Sequence, residues 1–347
     1  MQEFFQTSYT AIAGKTQQEN ILGVGTHQYC VSTEYFHHSL LLLEFLLEAK
    51  NKEQIQNFLH NNCINPHIFQ ELKEHKLITS SWKIIPEEKN HLYLDLLVDP
   101  LDVTVENFHK TVFVIMGCGG IGNFLSYAIA SYSPHKIILI DRDNISESNL
   151  NRQFMFSKDS LNLPKTEILT TELQKRFRVN IESFYEFTTT ELLENIVANH
   201  SSYNILGIVS GDDHHILEIT AKVFCKAKVP FLNVGYLNDI SLIGPFYIPN
   251  ISCCPFCHNS FSLEQTHLED PKIQAIMDRI NNRAQAPSSF INNALALAMS
   301  DIIQYMAHQL ENIKSINCRF GMDNNTFEPC TLASSLDANC AYCQHAS

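Results

Sequence analysis

Thr111-Val112-Phe113-Val114-Ile115-Met116-Gly117-Cys118-Gly119-Gly120-Ile121-Gly122 is the stretch that decides the fold of this chain. Six β-branched or apolar residues in a row, with no polar alternation, read as a strand buried on both faces of a parallel sheet. In the loop after it, Gly117 permits a tight turn, Gly119 and Gly120 let backbone approach a ligand, and Gly122 lets a helix pack on the strand. A helical pattern over 123–133 follows, and the first amides of such a helix favour an anion. A second apolar run, 136–140, ends at Asp141, 19 residues past Gly122, where a carboxylate holds ribose hydroxyls. This context implies a bound nucleotide without saying which one; an NAD-dependent oxidoreductase satisfies the same residues.

Working outward, helical patterns at 165–178 and 191–199 alternate with strand patterns at 181–187 and 204–209. That alternation predicts an α/β domain with a doubly wound, Rossmann-like sheet over 111–347. Strands at 231–235 and 241–248 extend the sheet with an antiparallel part. Residues 258–288 read as a mobile crossover and 290–309 as a long apolar helix. On the N-terminal side, 1–35 read as irregular. Helical patterns at 37–49, 52–61 and 66–75 precede an extended stretch at 81–85. Three helices and a wing predict a winged-helix-like domain over 1–85, joined by a linker at 86–110. Gly14-Lys15-Thr16 imitates the end of a phosphate loop, but Tyr9 stands where the first glycine belongs, so that reading fails.

Composition narrows the partners. The net charge is −13, the first arginine is Arg142, and residues 1–100 hold 7 Lys against 12 Asp and Glu. Such a surface repels phosphates, which argues against a nucleic-acid partner and for a protein or peptide at the N-terminal domain. No apolar stretch approaches the roughly 20 residues of a membrane span, and Met1–Phe5 has no signal-peptide character, so a cytoplasmic protein without membrane contact is expected. Eleven cysteines in that compartment read as metal ligands before disulfides. Cys254-x-x-Cys257 and Cys340-x-x-Cys343 make two knuckles, and four thiolates suit a closed, structural zinc site.

The segment after Asp141 separates the nucleotide readings. Asp141-Arg142-Asp143 is followed by Asn149-Leu150-Asn151-Arg152-Gln153 and by Lys165 at a helix start. A triphosphate attacked at its α-phosphate needs cations to offset the charge growing on the bridging oxygen, and Arg152 and Lys165 supply two. Asp212, just past the strand at 204–209, offers an oxygen ligand that suits Mg2+ bound to triphosphate, although an Asp-Asp pair after a strand is also the mark of a plain turn.

In order along the chain, the 117–122 loop, Asp141 and Asp143, 149–153, Lys165, Asp212 and the paired knuckles resemble the ThiF/MoeB and ubiquitin-activating superfamily. Members adenylate a C-terminal carboxylate. The resemblance implies that Gly117, Gly119, Gly120, Gly122, Asp141, Asp143, Asn149 and Gln153 bind the nucleotide, that Arg152 and Lys165 act on its phosphates, and that Asp212 holds Mg2+. A closer resemblance, to MccB-type enzymes of microcin C biosynthesis, rests on 233–240, Gly244-Pro245, 280–283, 290–293 and the N-terminal unit, which MoeB-like activators lack. It implies a homodimer in which the N-terminal unit clamps a short ribosomal precursor peptide. A nucleotide from ATP or CTP is then joined to its C-terminal Asn through a P–N bond, by way of a succinimide. Asn233, Tyr236, Asn238 and Asp239 become candidate substrate contacts. One departure is the family's Arg-x-x-Arg before the nucleotide domain, which donates an arginine to the partner subunit's triphosphate. Here it is Pro86-Glu87-Glu88-Lys89, leaving Lys89 as a point charge in its place. Three rivals stay open: an activator of a sulfur-carrier or ubiquitin-like protein, an NAD-binding oxidoreductase, and a non-catalytic scaffold.

Overall fold

The structure is a computed structural model that describes residues 3–80, 88–210, 214–237, 239–259, 270–283, 288–289 and 295–343. The chain divides into two compact units, one of residues 1–106 with 306–308, the other of 107–305 with 309–347.

In the first unit, β1 (Phe4–Thr7) lies between β5 (Lys50–Asn51) and β6 (Ile78–Thr79). A separate antiparallel meander consists of β2 (Ala11–Lys15), β3 (Asn20–Val24) and β4 (His27–Val31). The expectation that 1–35 are irregular is therefore corrected. Most of β2 and β4 faces solvent, β2 with small and apolar residues (Ala11 to Gly14) and β4 with a mixture, so no alternation of polar and apolar positions marks them; of the three, only β3 is buried along most of its length. The turns carry the signal instead. Thr16 Oγ1 accepts the Glu19 N–H at 2.9 Å, and Gly25, at φ 57°, closes the second hairpin.

Helices α1 (Thr33–Phe45), α2 (Lys52–Asn61) and α3 (Pro66–Glu74) stand close to the expected positions. Each starts on a side-chain cap, from Ser32, Asn51 and Asn65, that takes up an otherwise unpaired first-turn amide. They close over Phe5, Leu22, Leu42, Leu46, Leu72 and Leu77. The expected wing at 81–85 lies outside the described residues. The stretch read as a linker carries two helices, α4 (Lys89–Leu97) and α5 (Leu101–Lys110), and Lys89 opens the first of them.

The second unit is an eight-stranded sheet in the order β14-β13-β12-β11-β10-β7-β8-β9. Its members are β7 (Thr111–Met116), β8 (Lys136–Ile140), β9 (Ile181–Phe184), β10 (Asn204–Val209), β11 (Phe231–Leu237), β12 (Ile240–Tyr247), β13 (Cys318–Asp323) and β14 (Pro329–Ala333). From β9 to β11 neighbours run parallel; from β11 to β14 they run antiparallel. Strand β7 is buried at all six positions, as its continuous apolar run requires. Helices α6 (Gly120–Ala130), α7 (Lys165–Gln174), α8 (Thr190–Asn199) and α9 (His214–Ala227) alternate with the parallel strands. Val112, Val114 and Met116 share one buried cluster with Leu193 and Ile196 of α8 and Ala221 and Phe224 of α9. Where a crossover was expected, the described part holds a helix, α10 (Pro271–Arg283), and α11 (Leu295–Met306) follows. The chain winds outward in both directions from β7 and β10, which places a crevice at their carboxyl ends, where α/β sheets bind ligands.

Candidate functional site

Met116 ends β7, and Gly117 turns the chain at φ 98°, a conformation that glycine adopts without strain. Gly122 is held to hydrogen by sterics, because a Cβ there would lie 1.8 Å from the Gly117 carbonyl oxygen. Around Gly119 a Cβ would meet nothing within 4 Å, so this backbone is open to a ligand. Asp141 braces the loop: its carboxylate accepts the Cys118 N–H and the Asp143 N–H, each at 2.7 Å. Cys118 itself is buried, and burial together with the Asp141 charge pushes its thiol well above the usual range, so it stays protonated and inert.

These groups open onto a cavity of about 430 Å3. Gly117, Gly119, Gly120, Asp141, Asp143, Asn149, Arg152, Gln153 and Lys165 all line it, and so does Tyr236 on β11. Lys165 opens α7 with its ammonium 2.8 Å from the Asp143 carboxylate; its side chain is 7% exposed, so the charge is held in place rather than solvated. Arg152 donates through Nη1 to the Ser148 carbonyl at 2.9 Å and to Asn151 Oδ1 at 3.1 Å. Asn149 accepts the Ser146 N–H at 2.9 Å, closing the short turn that carries Arg152 and Gln153. Gln153 is buried, and its Oε1 has no hydrogen-bond partner among the described residues. A buried acceptor left unpaired costs about 1–3 kcal/mol, a penalty that a ligand donor in the cavity would remove.

Gly122 packs behind the loop and is not part of the cavity wall. Asn233, paired with Val209 in β11, is not among the lining residues. Asp239 sits at the β11–β12 turn, where its carbonyl accepts the Asn324 N–H at 2.8 Å, and it does not line the cavity either. Asp212 and Asn238 lie outside the described residues, although Ser210, two positions before Asp212, lines the cavity and donates to the Gly117 carbonyl at 2.8 Å. Sequence reasoning missed Arg142, Glu186, Phe187, Thr188 and Ser288 as lining residues. Strand β9 was read as reaching 187, and its ending at Phe184 is what frees 186–188 as a loop at the crevice.

Cys254, Cys257, Cys340 and Cys343 meet in a second, buried cluster, with all four sulfurs within 4.8 Å of one another. Three sulfur pairs measure 3.5, 3.5 and 3.9 Å. Thiolates at the corners of a zinc tetrahedron, each about 2.3 Å from the metal, stand about 3.8 Å apart, so this donor set can hold zinc. The thiols are tightly coupled: hydrogen bonding from Cys254 and then Cys343 pulls Cys257 down, while hydrogen bonding from Cys225 and Cys257 pushes Cys254 up and that from Cys254 and Cys257 pushes Cys343 up.

The fold and site define a class, and comparison with known proteins supplies it. The ThiF family profile matches residues 97–341, and the chain belongs to the ThiF family. Among curated relatives, the NEDD8-activating enzyme E1 catalytic subunit of Caenorhabditis elegans is 30% identical over 102 residues, covering 29% of this chain and 24% of its own length. The molybdopterin-synthase adenylyltransferase of Haemophilus influenzae is 31% identical over 93 residues, covering 26% of this chain and 38% of its own. The chain thus spans well under half the length of these relatives. In three dimensions the likeness is far longer. Escherichia coli MccB, solved with MccA-N7isoAsn, superposes with a TM-score of 0.82 at 23% identity, covering 98% of this chain and 99% of that one. The same protein solved with ATP gives 0.81 at 22% identity, over 98% and 99%. The chain has the MccB fold. No helix among the described residues is long and apolar enough to cross a membrane.

Proposed function

We propose that this chain is a nucleotidyltransferase that acts on the C-terminal Asn of a short ribosomal precursor peptide. It would use ATP or CTP with Mg2+, release pyrophosphate and leave the nucleotide on the peptide through a P–N bond. The observation that carries the reading is the extent of the MccB likeness. It takes in the N-terminal unit as well as the ThiF-family unit, and MccB has been solved with both peptide and ATP.

The residues of the cavity can divide the work. The open backbone at Gly119 and the first amides of α6, beginning at Gly120, bind phosphate oxygens. Asp141, fixed by two amides, turns its remaining lone pairs to ribose. As a peptide oxygen or nitrogen attacks the α-phosphorus, the bond to the bridging oxygen breaks and negative charge moves onto pyrophosphate. Arg152 and Lys165 offset that charge, and Asp212 would hold the Mg2+ that shares it. Four cysteines would hold one zinc, which supplies cross-linking and no chemistry. In the N-terminal unit, Ile12, Leu40 and Leu47 are exposed apolar residues along a groove of about 340 Å3. We assign that groove to the peptide, and the whole to a homodimer in which Lys89 would stand in for the arginine that MccB-type enzymes donate across the dimer.

The test is to mix the protein with Mg2+, each labelled triphosphate and synthetic peptides ending in Asn, starting from short reading frames beside the gene. Pyrophosphate release that depends on the peptide, with a nucleotide-sized mass gain on it, supports the reading. Transfer only to a small protein with a Gly-Gly tail would instead favour the activator of a sulfur-carrier or ubiquitin-like protein, which the local likeness to such enzymes keeps in view.

A further inference from the structure

Strands β7, β8 and β9 are consecutive neighbours, and the cavity is lined by residues beyond the carboxyl end of each. Past β7 is the glycine loop, which suits phosphates; past β8 is Asp141, which suits ribose. Past β9 come Glu186, Phe187 and Thr188. Two strand spacings of about 4.8 Å separate β7 from β9, roughly the reach of an extended mononucleotide. A nucleotide with phosphates and ribose placed at the first two strands therefore carries its base to the third.

The wall there is built for a flat, polar ring. The Arg142 guanidinium lies 3.8 Å from the centroid of the Phe187 ring, and Phe187 still keeps 57% of its surface exposed. Stacking on such a platform is indifferent to base identity, since every base has a π-face. Glu186 is different. Its side chain is exposed at the cavity, and among the described residues no hydrogen bond or ion pair engages its carboxylate. An ionised carboxylate accepts hydrogen bonds and donates none. At the purine C6 or pyrimidine C4 position adenine and cytosine carry an amino donor where guanine and uracil carry a carbonyl oxygen, and guanine can offer a carboxylate only its N1–H and N2–H2 edge instead.

The geometry points to Glu186 as a specificity-determining residue that admits amino bases and rejects keto bases. This rests on the nucleotidyltransferase reading above. It accounts for ATP and CTP as joint candidates, because both meet the same acceptor with an amino group where GTP and UTP would set a carbonyl oxygen against the carboxylate.

Calorimetric titration of the full-length protein with Mg2+ and each of the four triphosphates tests this without any peptide. ATP or CTP should bind at least roughly tenfold more tightly than both GTP and UTP, the scale of one base-edge hydrogen bond. In Glu186→Gln, whose carboxamide can rotate to accept or donate, the gap should shrink to within about threefold while the preferred nucleotide keeps most of its affinity. Glu186→Ala should narrow the gap as well. Equal affinity for all four in the unaltered protein, a preference for GTP or UTP (for GTP, the sign that the carboxylate takes guanine's N1–H and N2–H2 instead), or an unchanged gap in both variants would overturn the assignment. In each of those cases peptide-dependent transfer, assayed in parallel, shows whether the underlying reading survives. Failure to bind any triphosphate removes that reading and this one together.

Discussion

Two glycines three positions apart at the start of α6, one at its N-cap and one in its first turn, are expected to fail in opposite ways. At Gly122 the obstacle to a side chain is the Gly117 carbonyl, a backbone atom that cannot rotate away. Gly122→Ala should cost on the order of 3 kcal/mol, the scale of forced overpacking, and a thermal melt would register it whether or not nucleotide is added. At Gly119 there is room for a methyl group, so Gly119→Ala should change stability by under about 1 kcal/mol, the difference between these residues at a helix N-cap. Its effect should appear in triphosphate affinity instead. If the methyl leaves nucleotide binding untouched, the phosphates do not approach this backbone. Arg152→Ala and Asp212→Ala are expected to slow single-turnover nucleotide transfer by two or more orders of magnitude, since one stabilising donor is often worth about 3–4 kcal/mol in the transition state. Circular dichroism should stay unchanged, because Arg152 bonds to Ser148 and Asn151 of its own turn. A loss under tenfold for both would remove them from the reaction.

At the scale of elements, the cysteine knuckles tie together segments 86 residues apart. Cys254 and Cys257 follow β12, whereas Cys340 and Cys343 follow β14 at the far edge of the sheet. A metal there would cross-link the C-terminal segment to the sheet, closing a long loop that chain entropy otherwise opens. Elemental analysis should find one zinc per chain, and Cys340→Ser should lose the metal and lower the melting temperature. Less than about half an equivalent of bound metal, with no stability change in that variant, would count against a zinc site. The knuckles were legible in sequence because C-x-x-C spacing is a local property. Strands β2 and β4 were not legible for the converse reason: short and mostly exposed, they owe their conformation to pairing with β3, and pairing leaves no periodic mark on the strand that faces water.

For the whole molecule, charge argues most directly about partners. With no arginine and an excess of acids in its first 100 residues, the N-terminal unit cannot neutralise a row of phosphates, and a unit of this charge is expected to take a peptide instead of DNA. Leu47 is 71% exposed on the groove of that unit, so Leu47→Asp should leave the fold intact while weakening precursor-peptide affinity several-fold. Triphosphate affinity should not move. Titration of labelled peptide against both proteins decides the matter, and equal affinities would show that the peptide lies elsewhere. A truncated chain lacking the N-terminal unit should likewise keep nucleotide binding and lose peptide binding, provided circular dichroism shows it folded.

What the sequence by itself determined is the part of this protein written in neighbouring residues. The buried strand 111–116, its glycine loop, the carboxylate at 141 and the two cysteine pairs follow from φ/ψ limits, apolar runs and ligand spacing, all of which act within a few positions. Tertiary structure alone decided which distant residues share the cavity. It brought Arg142, Glu186, Phe187 and Ser288 to the crevice, kept Asn233 and Asp239 out of its lining, and closed four thiols into one cluster. The reason is physical. Strand order and the length of β9 are set by how the sheet and its helices bury their faces together, and no window of local sequence contains that packing.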